Sequence, residues 1–206
     1  MPKLDHLVYA VPDLARGIED FEKLTGLRPR VGGKHPEHGT HNALVGLSNG
    51  AYFEIIAPDP DSSVAPPRWM GVDLLTEPKI TRWCLRTDDL SARAERLRHT
   101  LPGHGELSTG KRQTPEGILL HWKMTLPLPT PEVDIIPFFI DWSNSEAHPA
   151  ESLDAALHLH GLELYHPEAE RMQILFRENK LDVEIREGEE IAIRVTLDTS
   201  AGKVRL

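Results

Sequence analysis

The N-terminal residues combine a strand pattern with a helix pattern. An apolar run from Leu4 to Ala10 is typical of a buried strand. The apolar residues that follow recur at helical spacing and predict one buried helix face: Leu14, Ile18, Phe21 and Leu24. Asp13 is a natural N-cap for this helix, and Gly26 is placed to end it as the C′ residue.

A predicted hairpin follows the helix. Two apolar runs, His41–Leu47 and Ala51–Ala57, are separated by the turn sequence Ser48-Asn49-Gly50. A short strand in the loop before His41 would complete the order strand, helix, strand, strand, strand. The first part of the chain therefore predicts a βαβββ module.

The same plan returns at an offset of 76 residues, where ITRWCLRTDDL from Ile80 aligns with LDHLVYAVPDL from Leu4. Its helix face is predicted from Leu90, Ala94, Leu97 and Leu101. Its hairpin strands are predicted at Ile118–Thr125 and Val133–Trp142, with Pro137 marking a bulge or an edge position. The duplication favours an α+β fold with helices on the outer faces of mixed sheets.

A looser third copy begins at Leu159 and predicts strands at Asp182–Arg186, Ile191–Leu197 and, briefly, at Val204. We accordingly divide the chain into a first module (1–60), a linker (61–79), a second module (80–145) and a partial βαββ unit (155–206). The segment from Pro58 to Pro78, which spans most of this linker and which we interpret as a surface segment or lid, is rich in proline: Pro58, Pro60, Pro66, Pro67 and Pro78.

Composition narrows the function classes. The chain has 206 residues, 39% of them hydrophobic, which suffices for a buried core, and its formal net charge is -9. An acidic protein has no electrostatic reason to bind nucleic acid or an anionic membrane. Without a signal-peptide pattern or an 18-residue apolar run, the sequence predicts a soluble, cytoplasmic protein. The single cysteine, Cys84, is interpreted as a buried apolar residue.

Two polar residues interrupt the apolar strand faces of the first module. By strand alternation, His6 shares a face with Leu4 and Val8, and Glu54 shares a face with Ile56. A polar group in a buried row requires a partner. The two side chains would bond each other or a water, or would bind a common ligand.

The strings LDHLVYAVPDL, GTHNALVGL, YFEIIAPDP and PFFIDW resemble the glyoxalase-like branch of the vicinal-oxygen-chelate superfamily, which includes glyoxalase I, extradiol dioxygenases and bleomycin-resistance proteins. The resemblance covers roughly residues 3–142. It implies that the βαβββ modules form a curved mixed sheet around a central cleft. It also implies that a divalent metal (Zn, Ni, Mn or Fe) is held by the first and last strands of each module.

On this resemblance, His6 and Glu54 occupy the ligand positions of the first module, and imidazole and carboxylate are suitable ligands for such an ion. The alternative is that they simply hydrogen-bond each other. In the second module Arg82 stands where His6 stands in the first, and a gapless alignment sets Phe139 opposite Glu54. The metal site would then be incomplete, with further ligands left open among His41, His121 and Asp141.

The cleft is predicted to bind a small molecule through His41, Asn42, Arg82, Trp83 and Trp122. Arg82 would bind a carboxylate or phosphate of the ligand, or pair with Glu54. One hypothesis is a metal-dependent enzyme of lyase, isomerase or dioxygenase type with Glu54 as its catalytic base. The other is a metal-free, drug-sequestering binding module of the same fold. A homodimer is left open by both.

One further string, GELSTGKR ending at Arg112, nearly matches a phosphate-binding P-loop. Arg112 replaces the Ser or Thr that would hold magnesium, so we interpret the string as a hairpin loop instead.

Overall fold

The computed structural model describes residues 2–114, 117–200 and 202–206, which form three βα-containing repeats. The first repeat comprises β1 (Lys3–Ala10), α1 (Leu14–Thr25), β2 (Arg30–His35), β3 (Thr40–Gly46) and β4 (Tyr52–Pro58). The second comprises β5 (Lys79–Arg86), α2 (Leu90–Thr100), β6 (Leu107–Gln113), β7 (Leu119–Thr125) and β8 (Phe138–Asp141). The third comprises β9 (His158–His166), α3 (Ala169–Glu178), β10 (Ile185–Glu187), β11 (Ala192–Thr199) and β12 (Gly202–Arg205).

Helix α1 begins and ends where the sequence predicts. The Asp13 side chain accepts a hydrogen bond of 2.8 Å from the backbone N–H of Arg16. Gly26 ends the helix in the left-handed region, with φ of 76°. Ile18 and Phe21 are buried, which fixes the apolar face of the helix against the sheet.

Eight strands from the first two repeats form one curved mixed sheet in the order β2-β3-β4-β1-β5-β8-β7-β6. Strands β1 and β5 pair antiparallel at its centre, and each pairs in parallel with the last strand of its own repeat. Arg112 on β6 donates a 2.9 Å hydrogen bond to the carbonyl of Gly32 on β2, so the two edge strands meet. The predicted α+β fold and curved sheet are confirmed, and the sheet is nearly closed into a ring.

The sheet has two apolar faces because its strands alternate. The outer face packs against the helices through residues such as Leu7, Phe53, Trp83 and Phe139. The inner face contributes a second cluster that includes Val8, Ile56, Cys84, Trp122 and Phe138. Cys84 is a free, buried thiol, as predicted.

The predicted strand Val133–Trp142 is much shorter in the structure, where β8 covers only Phe138–Asp141. The preceding residues form a loop that β5 holds in place. The indole N–H of Trp83 donates to the carbonyl of Ile135 at 2.7 Å, and the N–H of Asp134 donates to the carbonyl of Thr81 at 3.0 Å. These bonds replace strand pairing for this segment.

Two loop predictions also change. The proline-rich segment contains a short 3-10 helix, Trp69–Leu74, whose Met70 and Val72 are buried in the inner cluster. GELSTGKR is not a hairpin loop, because most of it belongs to strand β6. Gly110 on this strand leaves room for the Trp122 indole, which would lie only 2.4–2.6 Å from an added Cβ atom.

The third repeat forms its own four-stranded sheet, in the order β10-β9-β11-β12. Its apolar residues Leu164, Phe176 and Val195 belong to the same outer cluster that contains Phe53 and Trp83. No helix in the described part of the chain is long and apolar enough to cross a membrane.

Candidate active site

A β-bulge at the start of β1 brings two consecutive polar residues to the inside of the sheet. Leu4 pairs with Leu85 and His6 pairs with Cys84, so Asp5 is the extra residue between two successive pairs. Regular alternation would place Asp5 and His6 on opposite faces. Instead the Asp5 side chain is fully buried and its Oδ1 lies 2.7 Å from Nδ1 of His6.

Asp5 accepts hydrogen bonds from three aromatic side chains. Besides His6, the Nε2 of His148 lies 2.9 Å from its Oδ2, and the indole N–H of Trp142 donates to Oδ2 at 3.1 Å. Burial alone would raise the pKa of Asp5, but the hydrogen bonds of His148 and His6 outweigh burial and hold it well below its usual range. Asp5 is therefore an ionised carboxylate that can only accept hydrogen bonds.

This charge determines which nitrogen of His6 carries a proton. Since Asp5 cannot donate, Nδ1 of His6 must be the N–H that it contacts. The other nitrogen, Nε2, then carries a lone pair in the neutral imidazole. It lies 3.6 Å from Oε2 of Glu54, which is longer than a hydrogen bond.

Glu54 is itself held in a fixed orientation. The amide of Asn42, on the neighbouring strand β3, donates to Oε1 of Glu54 at 2.5 Å and leaves Oε2 to face His6. The ring of Tyr52 stacks on His6 at a centroid distance of 4.7 Å, and Phe138 contacts the same imidazole edge-on at 5.3 Å. The two lone-pair atoms are thus fixed in place by four neighbouring side chains.

His6 and Glu54 line a cavity of about 30 Å³ at the centre of the sheet, room for roughly two waters. Its other lining residues come from nearly every strand of the ring and from the segments that cover it: His35, Asn42, Tyr52, Trp69, Arg112, Trp122, Met124, Ile140, Trp142 and Pro149. Burial, with a smaller effect from the Arg112 charge, lowers the pKa of His35 to about 3. His35 is therefore a neutral wall residue, hydrogen-bonded to Thr40 at 3.0 Å.

A family model for a glyoxalase-like domain matches residues 4–178, which is most of the chain. The chain belongs to this glyoxalase-like family. This confirms the glyoxalase-like resemblance noted in the sequence. A comparison with curated proteins finds no match.

One solved structure with a TM-score above 0.5 supports the fold of this glyoxalase-like chain. A hypothetical protein from Staphylococcus aureus aligns with a TM-score of 0.71 at 14% identity, covering 100% of this chain and 98% of its own. Methylmalonyl-CoA epimerase from Mycobacterium tuberculosis aligns with a TM-score of 0.43 at 21% identity, covering 67% of this chain and 86% of its own. Methylmalonyl-CoA epimerase from Streptomyces coelicolor, solved with 2-nitronate-propionyl-CoA, aligns with a TM-score of 0.44 at 19% identity. The alignment covers 70% of this chain and 97% of the epimerase. At these values the epimerases carry no argument about function.

The glyoxalase-like fold brings together four of the predicted site residues: His6, Asn42, Glu54 and Trp122. Trp83 follows Arg82 on β5 and so faces the outer core, where its indole bonds Ile135. It does not line the cleft, contrary to the prediction. By the same alternation, His41 is on the opposite face of β3 from Asn42, so His6, His41 and Glu54 do not form a common site.

Arg82 is fully buried, and its guanidinium binds the backbone instead of Glu54 or the cavity. It donates to the carbonyls of Thr81, Leu128, Thr130 and Glu132. These bonds anchor the loop that precedes β8, which gives Arg82 a structural role. The expected contact with Glu54 or with a ligand is therefore not made.

The remaining candidate ligands also lie apart from His6. His121 and Asp141 alternate with the inner-face residues Trp122 and Ile140, so both point to the outside of the sheet. In the first repeat Val8 pairs with Glu54. At the 76-residue offset Cys84 corresponds to Val8, and it pairs with Phe138. Phe138, not Phe139, is therefore the counterpart of Glu54. The second-repeat positions that the sequence resemblance assigns to metal ligands are therefore occupied by Arg82 and Phe138, neither of which can bind a metal.

Sequence reasoning missed Asp5, His35, Arg112, Trp142 and His148. Asp5 was not predicted as a site residue because strand alternation assigns it to the outer face, and nothing in the sequence indicates the bulge. His148 lies in a loop and contacts Asp5 across 143 residues of sequence. Arg112 was noted only as the residue that spoils a P-loop.

Asp5, His6 and Cys84 also come close enough to suggest a metal site. The Asp5 oxygens are already hydrogen-bonded, however, and burial raises the pKa of the Cys84 thiol well above its usual value, so it stays neutral. A cation fits better between Nε2 of His6 and Oε2 of Glu54. These two atoms are a nitrogen and an oxygen donor with lone pairs directed at one another.

Proposed function

We propose that the central cavity is the active site of a metal-dependent enzyme acting on a small oxygenated molecule, with His6 and Glu54 as the metal ligands. One observation carries the proposal. With a neutral imidazole, Nε2 of His6 and Oε2 of Glu54 both present lone pairs across 3.6 Å, and such an arrangement is unfavourable unless a proton or a metal cation lies between them.

The surroundings of the pair support the same role. A ligand histidine usually donates its second N–H to a carboxylate, which fixes the ring and strengthens the metal bond. Asp5 does this for His6, and His148 and Trp142 hold Asp5 in turn. His148 accepts from the N–H of Ala150 through Nδ1, so it is a neutral donor to Asp5 and adds no competing charge.

A divalent ion at this position would act as a Lewis acid that polarises adjacent oxygens of the substrate. The protein supplies the orientation. Asp5 keeps the lone pair of His6 directed into the cavity, and Asn42 keeps Oε2 of Glu54 turned toward it. Glu54 is also the carboxylate nearest the reacting region, so it is our candidate for accepting a substrate proton.

The test is calorimetric titration of Zn²⁺, Ni²⁺ and Mn²⁺ into the wild type and the Glu54→Gln variant near pH 7.5. We expect Glu54→Gln to weaken metal binding at least tenfold, because the substitution replaces the negatively charged carboxylate ligand with a neutral amide. His121→Gln and Asp141→Asn serve as matched controls, since both residues were candidate ligands and both face away from the cavity. Their affinities should equal that of the wild type. Equal affinity in Glu54→Gln would remove Glu54 from the site.

A metal-free binding module is the second candidate, and one observation favours it. Arg82 and Phe138 occupy the positions from which the second repeat would complete a four-ligand site. Absence of metal binding by the wild-type protein in the same titration would support this alternative.

A further inference from the structure

The guanidinium of Arg112 is a buried positive charge that contributes to the wall of the cavity. The residue is 8% exposed. Its one hydrogen bond within the described residues goes from Nη1 to the carbonyl of Gly32. No carboxylate in that part of the chain forms an ion pair with it. Arginine is rarely buried without an anionic partner, because the cost of removing its charge from water is otherwise uncompensated.

The strand order places Arg112 across the cavity from His6. With the ring closed by the bond between Arg112 and Gly32, strand β6 lies four strands from β1 in either direction. The side chain lies against Gly33, where an added Cβ atom would come within 3.5 Å of Nη1. The sheet therefore presents the metal-ligand pair on one side and a fixed cation on the other.

We propose that Arg112 binds the carboxylate of the substrate, and that the substrate is a short 2-hydroxy or 2-oxo acid. This inference rests on the proposed function, since the oxygen next to the carboxylate would be the one that faces His6 and Glu54. A guanidinium binds a carboxylate through two parallel hydrogen bonds, which fixes both its position and its orientation.

The size of the site restricts the acid. The cavity of about 30 Å³ admits only a small head group. A second cavity of about 110 Å³ lies next to it, because His35 and Trp122 line both, and Lys111 is among its other lining residues. A short chain carried on C2 of the acid would need this neighbouring space.

The test uses glycolate, the smallest 2-hydroxy acid, as the probe and glycolamide as its uncharged counterpart. Binding is measured in EDTA from the shifts of the tryptophan indole signals in ¹H–¹⁵N spectra, because Trp69, Trp122 and Trp142 line the cavity. We expect Arg112→Gln to weaken glycolate binding at least tenfold, Arg112→Lys to weaken it less, and glycolamide to bind the wild type weakly. Arg171→Gln, at a residue whose side chain is 71% exposed on α3, is the matched control.

Equal affinity of the wild type and Arg112→Gln for glycolate would overturn the inference. Equal affinity of the wild type for glycolate and glycolamide would also overturn it, and this comparison does not depend on the folding of a variant. The same holds if the wild type binds no glycolate. Metal titration of Arg112→Gln separates this result from the proposed function. If Arg112→Gln binds metal and glycolate as tightly as the wild type does, only the proposed anion site is contradicted. If the wild type binds glycolate but no metal, only the proposed metal site is contradicted.

Discussion

His35 is a residue whose burial makes folding dependent on pH. Its folded pKa of about 3 lies below its ordinary value of 6.5, because burial and the Arg112 charge disfavour the protonated ring. The unfolded chain takes up this proton near pH 6.5 and the folded chain does not. The stability associated with the neutral ring is therefore fully present above that pH and is lost as the pH falls toward 3.

We predict that the free energy of unfolding of the His35→Gln variant falls less steeply with acidification than that of the wild type. The difference in slope should approach about 1.4 kcal/mol per pH unit between pH 6 and 4. Urea unfolding followed by circular dichroism measures it. His99→Gln, at an exposed position on α2, should retain the wild-type slope. Parallel slopes for His35→Gln and the wild type would show that His35 is protonated in the fold.

Single residues also mark the limit of what the sequence predicts about the site. His6 and Glu54 were found because a polar residue in an apolar row is visible in the pattern. The errors at Trp83 and His41 come from naming neighbours on one strand as joint members of a site. Adjacent strand residues face opposite ways, so Arg82 with Trp83, or His41 with Asn42, cannot both line one cavity. Asp5 and His6 are the exception to this rule, because the bulge at Asp5 turns both side chains to the inside of the sheet.

At the scale of elements, local chemistry predicted helix α1, its caps and the β3–β4 hairpin to within a residue or two. Strand β8 was overestimated because its apolar sequence satisfies a strand pattern, whereas Arg82 and Trp83 hold its first half as a loop. Those bonds join residues about 50 positions apart. Local patterns carry no information about contacts at this distance.

Strand β6 provides an element-scale prediction through its glycine. An alanine at position 110 would place its Cβ atom 2.4 Å from the Trp122 ring, so the ring or the strand must move. We expect Gly110→Ala to lower the free energy of unfolding by about 1–3 kcal/mol and to shift the tryptophan emission. Gly161→Ala on β9 is the control, because nothing lies within 4 Å of its added Cβ atom. Equal stability of the two variants would show that the cavity wall at Trp122 is not tightly packed.

At the scale of the whole molecule, the third repeat shares one apolar core with the other two. Leu164 on β9 is fully buried in the cluster that also contains Phe53 and Trp83. Side chains join the repeats as well, since Arg93 on α2 donates to the carbonyl of Asn179 at 3.0 Å. A shared core predicts that the three repeats unfold together, although the sequence pattern presents them as separate units.

We therefore predict that Leu164→Ala lowers the stability of the entire chain by about 3 kcal/mol in a single transition. The four tryptophans, Trp69, Trp83, Trp122 and Trp142, all lie outside the third repeat, so their fluorescence follows the unfolding of the first two repeats and the segment between and after them. Their unfolding midpoint in urea should fall together with the midpoint from circular dichroism. Ile174→Ala, at a side chain on α3 that is 56% exposed, should change both midpoints little. A tryptophan transition that Leu164→Ala leaves unmoved would mean that the ring folds independently of the third repeat.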